Sequence, residues 1–91
     1  MAVLDVGGEV GALVVHLAAT PPGGEVEAQP VGRPDRRFHT GVHVRAVAGR
    51  PVPVALFPAV TQGTYEILDD AGRSLAIVDV AGGEVAQLDL S

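Results

Sequence analysis

The chain contains no cysteine, no lysine and no tryptophan. Without cysteine there is neither a disulfide framework nor a thiolate metal site. Without lysine there is no Schiff-base nucleophile and no P-loop lysine to hold a phosphate. No apolar run approaches the roughly 20 residues of a membrane span, and the N-terminus lacks the basic and apolar regions of a signal peptide. We therefore expect a cytoplasmic protein that does not contact a membrane.

Positive charge is scarce. Eleven acidic residues outnumber six basic residues, all of them arginines, and the net charge is −5. Nucleic-acid binding depends on a dense basic patch or on aromatic stacking platforms. The chain has no such patch and only three aromatic residues, Phe38, Phe57 and Tyr65. Nucleic acid is therefore not an expected partner.

Segments long enough to form a helix are missing as well. Twelve glycines and seven prolines divide the 91 residues. The longest run without either is nine residues, whereas an average helix has about 11–12. Valine and alanine dominate what lies between the breakers, and the branched valine side chain favours strands. We expect a single all-β domain over residues 1–91.

Apolar alternation between the breakers predicts about seven strands. They are Val10–Leu17, Glu25–Val31, Phe38–Val47, Pro51–Phe57, Thr64–Leu68, Arg73–Val80 and Glu84–Leu90, with a possible short strand at Ala2–Asp5. The segment from Pro58 to Gly63 is predicted to be a corner, and Asp69–Gly72 a hairpin turn. Gly82 and Gly83 are predicted to turn the last hairpin. Short strands at this spacing are typical of a single antiparallel β-sandwich.

The tetrapeptide G-G-E-V occurs three times, at Gly7–Val10, Gly23–Val26 and Gly82–Val85. The intervals between the copies are unequal, so they do not define a structural repeat. Each copy predicts a Gly-Gly turn, a solvated glutamate and a valine that starts a strand. A phosphate-binding loop is the less favoured interpretation, because no helix follows to supply its N-terminal N–H groups.

The second half of the chain resembles a known family. The segment F-P-A-V-T-Q-G-T-Y-E-I is followed by Gly72, a strand, Gly82-Gly83 and a closing strand. Over Val52–Leu90 this resembles the transthyretin-like (prealbumin-like) sandwiches, which include carboxypeptidase regulatory-like and Cna-B-like domains. The resemblance implies that Tyr65 packs in the core and that the protein is a non-catalytic spacer or interaction module. The segments V-L-D-V-G-G-E-V, R-F-H-T and F-P-A-V are also similar to small actinobacterial proteins of uncharacterised function.

The candidate site lies on the predicted Phe38–Val47 strand. Alternate residues of a strand share a face, so one face carries Phe38, Thr40, Val42, Val44 and Ala46. The other face carries Arg37, His39, Gly41, His43 and Arg45. Four side chains that can be cationic, on one face of an acidic protein, are suited to a carboxylate-rich surface. We predict that Arg37, His39, His43 and Arg45 bind a protein partner, either another subunit or a second copy of the chain.

Two other functions stay open at this point. The first is a small metal-dependent or histidine-based hydrolase that uses His39 and His43, with His16 as a third candidate. On a strand His39 and His43 lie about 13 Å apart, too far for both to bind one metal unless a bulge at Gly41 shortens the span. The second is a carbohydrate-binding sandwich, which would need exposed aromatic rings for stacking. The favoured prediction is a non-enzymatic accessory module without metal or cofactor.

Overall fold

The computed structural model describes residues 6–91, and its regular structure is almost entirely β. One 3₁₀ turn lies at Pro34–Arg36. The strands are β1 Val10–Leu17, β2 Glu25–Pro30, β3 Phe38–Val47, β4 Arg50–Thr61, β5 Gly63–Leu68, β6 Ser74–Val80 and β7 Val85–Leu90. The all-β prediction is confirmed, and six of the seven predicted strands lie within one residue of the observed bounds. The possible strand at Ala2–Asp5 lies outside the described residues.

The seven strands form one mixed sheet that curves almost into a barrel, in the order β6-β5-β2-β3-β4-β1-β7. Neighbouring strands are antiparallel except at one end, where β7 runs parallel to β1 from the Ala12–Val85 pair to the Leu17–Leu90 pair. The predicted single sandwich is not confirmed, and the prediction that its strands are all antiparallel is wrong. So is the predicted last hairpin, because β7 forms its ladder with β1 rather than with β6.

Strand β3 joins the two halves of the sheet. Its first part, Phe38 to Gly41, pairs with β2, and its second part, Val42 to Val47, pairs with β4. The amide of Val42 marks the change by donating to the carbonyl of Gly24 at 2.9 Å. Because β3 changes partner midway, its second part extends away from β2 as one strand of a hairpin with β4.

Strand β4 continues beyond the predicted corner at Pro58. Between the pairs Gly11–Val60 and Leu13–Phe57, β4 advances three residues while β1 advances two. The extra residue makes a β-bulge at Pro58 and Ala59, and a bulge leaves backbone groups unpaired. Proline lacks the N–H that a regular ladder needs, but it is tolerated here because a bulge does not require that donor. The prediction that Pro58 ends the strand is wrong for this reason.

The core lies on the concave side of the curved sheet. Its largest fully buried side chains are Leu13, Val15, Val26 and Ile67, which come from β1, β2 and β5. Tyr65 is 7% exposed, as predicted, and its hydroxyl donates to the carbonyl of Thr61 at 2.5 Å. The Phe38 ring meets the Tyr65 ring edge to face, with centroids 5.9 Å apart. Such contacts link the first part of β3 to the core.

The three G-G-E-V copies are turns, as predicted. The second glycine of each, at Gly8, Gly24 and Gly83, has a positive φ between 57° and 76°, and each glutamate is exposed. Two of the copies pack on each other, since a Cβ on Gly82 would lie 2.9 Å from the Glu9 Cα. Asp69 closes the predicted β5–β6 turn by accepting hydrogen bonds from the amides of Ala71 and Arg73.

The two isoleucines differ in burial, so substituting each of them tests where the core ends. Ile67 is fully buried, whereas Ile77 is 63% exposed. Ile67→Ala is expected to lower the free energy of unfolding by about 3 kcal/mol, because it leaves a cavity. Ile77→Ala is expected to change it by no more than about 0.5 kcal/mol. Urea denaturation of both variants measures the difference, and equal losses would contradict this core.

Tyr65 allows a test by pH, because it is the only tyrosine in the chain. Burial raises the pKa of its phenol, with Arg36 opposing the shift. A raised folded pKa favours the neutral phenol in the native state. Its contribution to stability is complete below the unfolded value of about 10 and is lost as the pH rises through the folded pKa. Ultraviolet titration of tyrosinate should give a midpoint above about 10, and a midpoint at or below that value would mean that the ring is solvated.

Candidate functional site

The side chains on β3 that were predicted to bind a partner are exposed. The face that carries them has two parts with different surroundings. Arg37 and His39 lie beside β2, with His39 opposite Glu27 in the ladder. His43 and Arg45 lie beside β4, opposite Val54 and Val52. Neither ladder of β3 contains a register shift, so the separation of about 13 Å between His39 and His43 stands. The four residues share a face but do not form one cluster.

Arg37 is held by side chains of the neighbouring strand. Its Nε donates to Gln29 Oε1 at 2.9 Å, and its guanidinium also pairs with Glu27 at 3.2 Å. Gln29 is only 6% exposed, and its amide donates onward to Glu66 at 3.1 Å. This network satisfies a buried amide and ties β3 to β2 and β5. Arg37 therefore has a structural role.

His39 also has an acidic neighbour. Its Nε2 lies 3.4 Å from Glu25 Oε2, on the same outward face of β2 and β3. Both side chains are well exposed, so this pair adds little stability. It does place a carboxylate beside the imidazole. Arg37 and His39 therefore face acidic groups of their own molecule.

The second part of β3 and the start of β4 form an exposed hairpin, which we call the arm and define as residues 43–53. Every residue from His43 to Pro51 is exposed. Val44 was predicted to share a face with Phe38, which packs against the core, yet Val44 is 62% exposed. Val47 is 50% exposed. The arm extends beyond the end of β1, whose last pair with β4 is His16–Val54. Val44 therefore faces inward with no core beneath it.

The arm carries positive charge and no negative charge. It contains Arg45, Arg50 and His43, and no acidic residue occurs between Arg36 and Tyr65. No hydrogen bond or ion pair joins these three side chains to another part of residues 6–91. A two-residue turn at Ala48 and Gly49, with φ values of 52° and 77°, closes the arm. Positive φ at both central residues is the geometry of a tight hairpin turn.

A cleft of about 590 Å³ lies beside the arm. One wall is the arm itself, and the other is made by the ends of β1 and β7. Its lining is Val47, Ala48, Arg50, Pro51, Val52 and Pro53 from the arm, and His16, Leu17, Ala18, Asp89 and Ser91 from the opposite wall. This volume lies within the range of about 300–1,000 Å³ seen for ligand clefts.

His16, Asp89 and Ser91 meet at the cleft, but their hydrogen bonds do not form a catalytic triad. His16 Nε2 is 3.0 Å from Gln87 Oε1, while the Ser91 hydroxyl donates to Asp89 at 2.5 Å. A nucleophile would instead have to donate to the histidine. The Ser91 hydroxyl and amide lower the pKa of Asp89, so this carboxylate stays ionised to a lower pH than an ordinary aspartate.

Metal binding has no supporting geometry in the part of the chain that the structure describes. There, no three side chains among histidine, aspartate and glutamate lie close enough together to hold a metal ion. His16 lies on the same face as His43, with Val54 between them in both ladders. Two strand spacings, or about 10 Å, separate their backbones.

Comparisons with family models, curated proteins and solved structures give no match. The resemblance to transthyretin-like and Cna-B-like domains therefore stays a prediction. Within residues 6–91, no helix has the length and apolarity that crossing a membrane requires.

Sequence reasoning missed the cleft because it depends on the parallel pairing of β1 with β7. That ladder places Asp89 opposite His16, although 73 positions separate them in the chain. A detectable signal was present in the arm. The run from Arg36 to Tyr65 is free of acidic residues in a protein with a net charge of −5.

The different surroundings of the two arginines predict different effects of truncation. Arg37→Ala leaves the buried Gln29 oxygen without its donor and is expected to cost about 2 kcal/mol of unfolding free energy. Arg45→Ala is expected to change stability by less than about 0.5 kcal/mol. Urea denaturation measures the unfolding free energy of each variant. Equal stabilities would mean that the Arg37 network contributes nothing to folding.

Proposed function

We propose that this protein is a non-enzymatic interaction module that binds another protein through the outward face of β3 and, above all, through the arm. The observation that carries the proposal is the combination of exposed Val47 with Arg45 and Arg50 on one face of the same hairpin. Exposed apolar side chains next to cations without an acidic neighbour are characteristic of a binding surface.

The contacts of β3 show which of the four predicted residues already have an acidic neighbour in their own molecule. Arg37 and His39 are adjacent to Glu27 and Glu25, so a partner would have to displace those carboxylates to reach them. His43 and Arg45 have no such competitor within the described residues. We therefore place the energetic centre of the interface on the arm, with Arg37 and His39 at its rim. Arginine beside an apolar patch is common at the centre of interfaces.

The partner's chemistry follows from the charge of the arm. A carboxylate-bearing surface would pair with Arg45 and Arg50, while an apolar side chain would cover Val47, which shares their face of the hairpin. We also propose that the sheet is a variant of the transthyretin-like sandwich, consistent with a role as an accessory module. The hydrolase that uses His39 and His43 and the carbohydrate-binding sandwich stay as predictions that no particular contact favours.

Charge reversal on the arm tests the proposal. The double variant Arg45→Glu, Arg50→Glu should lose at least about tenfold in affinity for the protein partner, since two attractive charges become repulsive. The partner is first isolated by co-purification with the tagged wild-type chain from its native host. Binding of the purified pair is then measured by calorimetry.

A matched control separates the arm from net charge. The double variant Arg36→Glu, Arg73→Glu changes the net charge equally, at exposed positions outside the arm. It should bind the partner within about twofold of the wild type, the small effect expected of charges away from the interface. Equal losses in the two double variants would show that overall charge, and not the arm, controls association.

A further inference from the structure

The cleft beside the arm differs in chemistry from the arm itself. The arm offers hydrogen-bond donors, whereas the cleft is lined mainly by acceptors and apolar groups. Two lining side chains can be cationic: Arg50 from the arm, and His16, whose Nε2 lies 3.0 Å from Gln87 Oε1. This contrast follows from the hydrogen-bonding pattern of the β3–β4 hairpin.

The two prolines of the arm present carbonyl groups to the cleft. In a hairpin with a two-residue turn, the flanking residues Val47 and Arg50 exchange both backbone hydrogen bonds, and so does every second pair beyond them. Arg50, Val52 and Val54 therefore bond to β3. Pro51 and Pro53 face away from β3, on the side where β1 has already ended. A proline has a carbonyl but no N–H, so this edge of β4 accepts hydrogen bonds and donates none.

That pattern decides what can occupy the cleft. An added β-strand needs both donors and acceptors along the edge it joins, so strand addition at Pro51 and Pro53 is disfavoured. Across the cleft lies the Asp89 carboxylate, with the Ser91 hydroxyl bound to it. Leu17, Val47 and Val52 line the same cleft and supply its apolar surface. A long aliphatic stem that ends in a cation matches both features.

We propose that the cleft takes an arginine or lysine side chain of an extended partner segment, with its stem on Val47 and Val52 and its cationic head between Asp89 and the carbonyls of Pro51 and Pro53. This deepens the proposed function and rests on it, because the same segment would place an acidic group against Arg45 or His43. His43 and Asp89 lie on the outer two of four neighbouring strands, which gives a span of about 14 Å. An extended segment covers that span with an acidic and a basic residue about four positions apart.

The test uses small probes, so it needs no identified partner. Acetyl-arginine methylamide is titrated into the isotope-labelled full chain, and amide shifts are followed by NMR. Saturable shifts are expected at Leu17, Ala18, Val52 and Ser91, with no comparable shifts from acetyl-glutamate methylamide. Shifts spread over the other acidic surfaces, or equal shifts with both probes, would overturn the proposal.

Two aspartates provide a matched pair of variants. Asp89 accepts a hydrogen bond from the Ser91 hydroxyl at 2.5 Å, and Asp79 accepts one from the Thr64 hydroxyl at 2.6 Å. Asp89→Asn should weaken binding of the arginine probe roughly tenfold, the loss of one charge-assisted contact. Asp79→Asn should leave it unchanged. Asp89→Lys should reverse the preference toward the glutamate probe. Unaltered arginine binding in Asp89→Asn would refute the assignment.

Peptides then distinguish a partner segment from a free cation. Acetyl-Glu-Ala-Val-Ala-Arg-amide should bind several-fold more tightly than the arginine probe, since it also reaches the arm. Acetyl-Ala-Glu-Arg-Val-Ala-amide has the same composition with adjacent charges and should bind no better than the probe. If the probe and both peptides bind equally, the cleft is a site for a small cation and the proposal fails. That result leaves the partner complex measured with the arm variants unaffected, so the two failures are distinguishable.

Discussion

The change of partner along β3 is the constraint on which the rest of the structure depends. From Phe38 to Gly41 the strand is paired with β2, and its aromatic side chain lies against Phe57 and Tyr65. From Val42 onward it is paired with β4. One strand therefore contributes both to the core and to an exposed hairpin. The part packed on the core fixes the position of the exposed part, which the proposed binding surface would require.

The same division explains why four similar side chains have different roles. Arg37 completes a network that includes the buried amide of Gln29, so its charge serves the fold. Arg45 lies on the part of β3 that pairs with β4. No acidic side chain within the described residues forms an ion pair with it. The difference comes from the neighbouring strand and not from the residue type. The arm combines basic side chains with exposed valines. Its charge would attract the proposed acidic partner and raise the rate of their association.

Much of the fold could be predicted from local sequence. What could not be predicted depends on contacts between residues far apart in the chain. Breakers and alternation locate the strands, because turn formation by Gly-Gly and by Asp69 depends on adjacent residues. The partners of each strand depend on contacts far apart in sequence, so neither the parallel pairing of β7 with β1 nor the acidic neighbours of Arg37 could be read from the alternation. Val44 shows the same limit: alternation correctly gives its face, but only the end of β1 shows that no core lies beneath that face. The cleft, which combines residues of four strands, was beyond sequence reasoning for this reason.

Amide hydrogen exchange measured by NMR tests the division of β3 most directly. The amides of Val26 and Ala28, in the core, should exchange only when the whole molecule unfolds. The amides of Arg45 and Val52 are hydrogen-bonded in the arm, but the arm buries little apolar surface. They should therefore exchange through local opening at a clearly lower free energy. If Arg45 and Val52 exchange as slowly as Val26 and Ala28, then the arm belongs to the same cooperative unit as the core, and the division of β3 is contradicted.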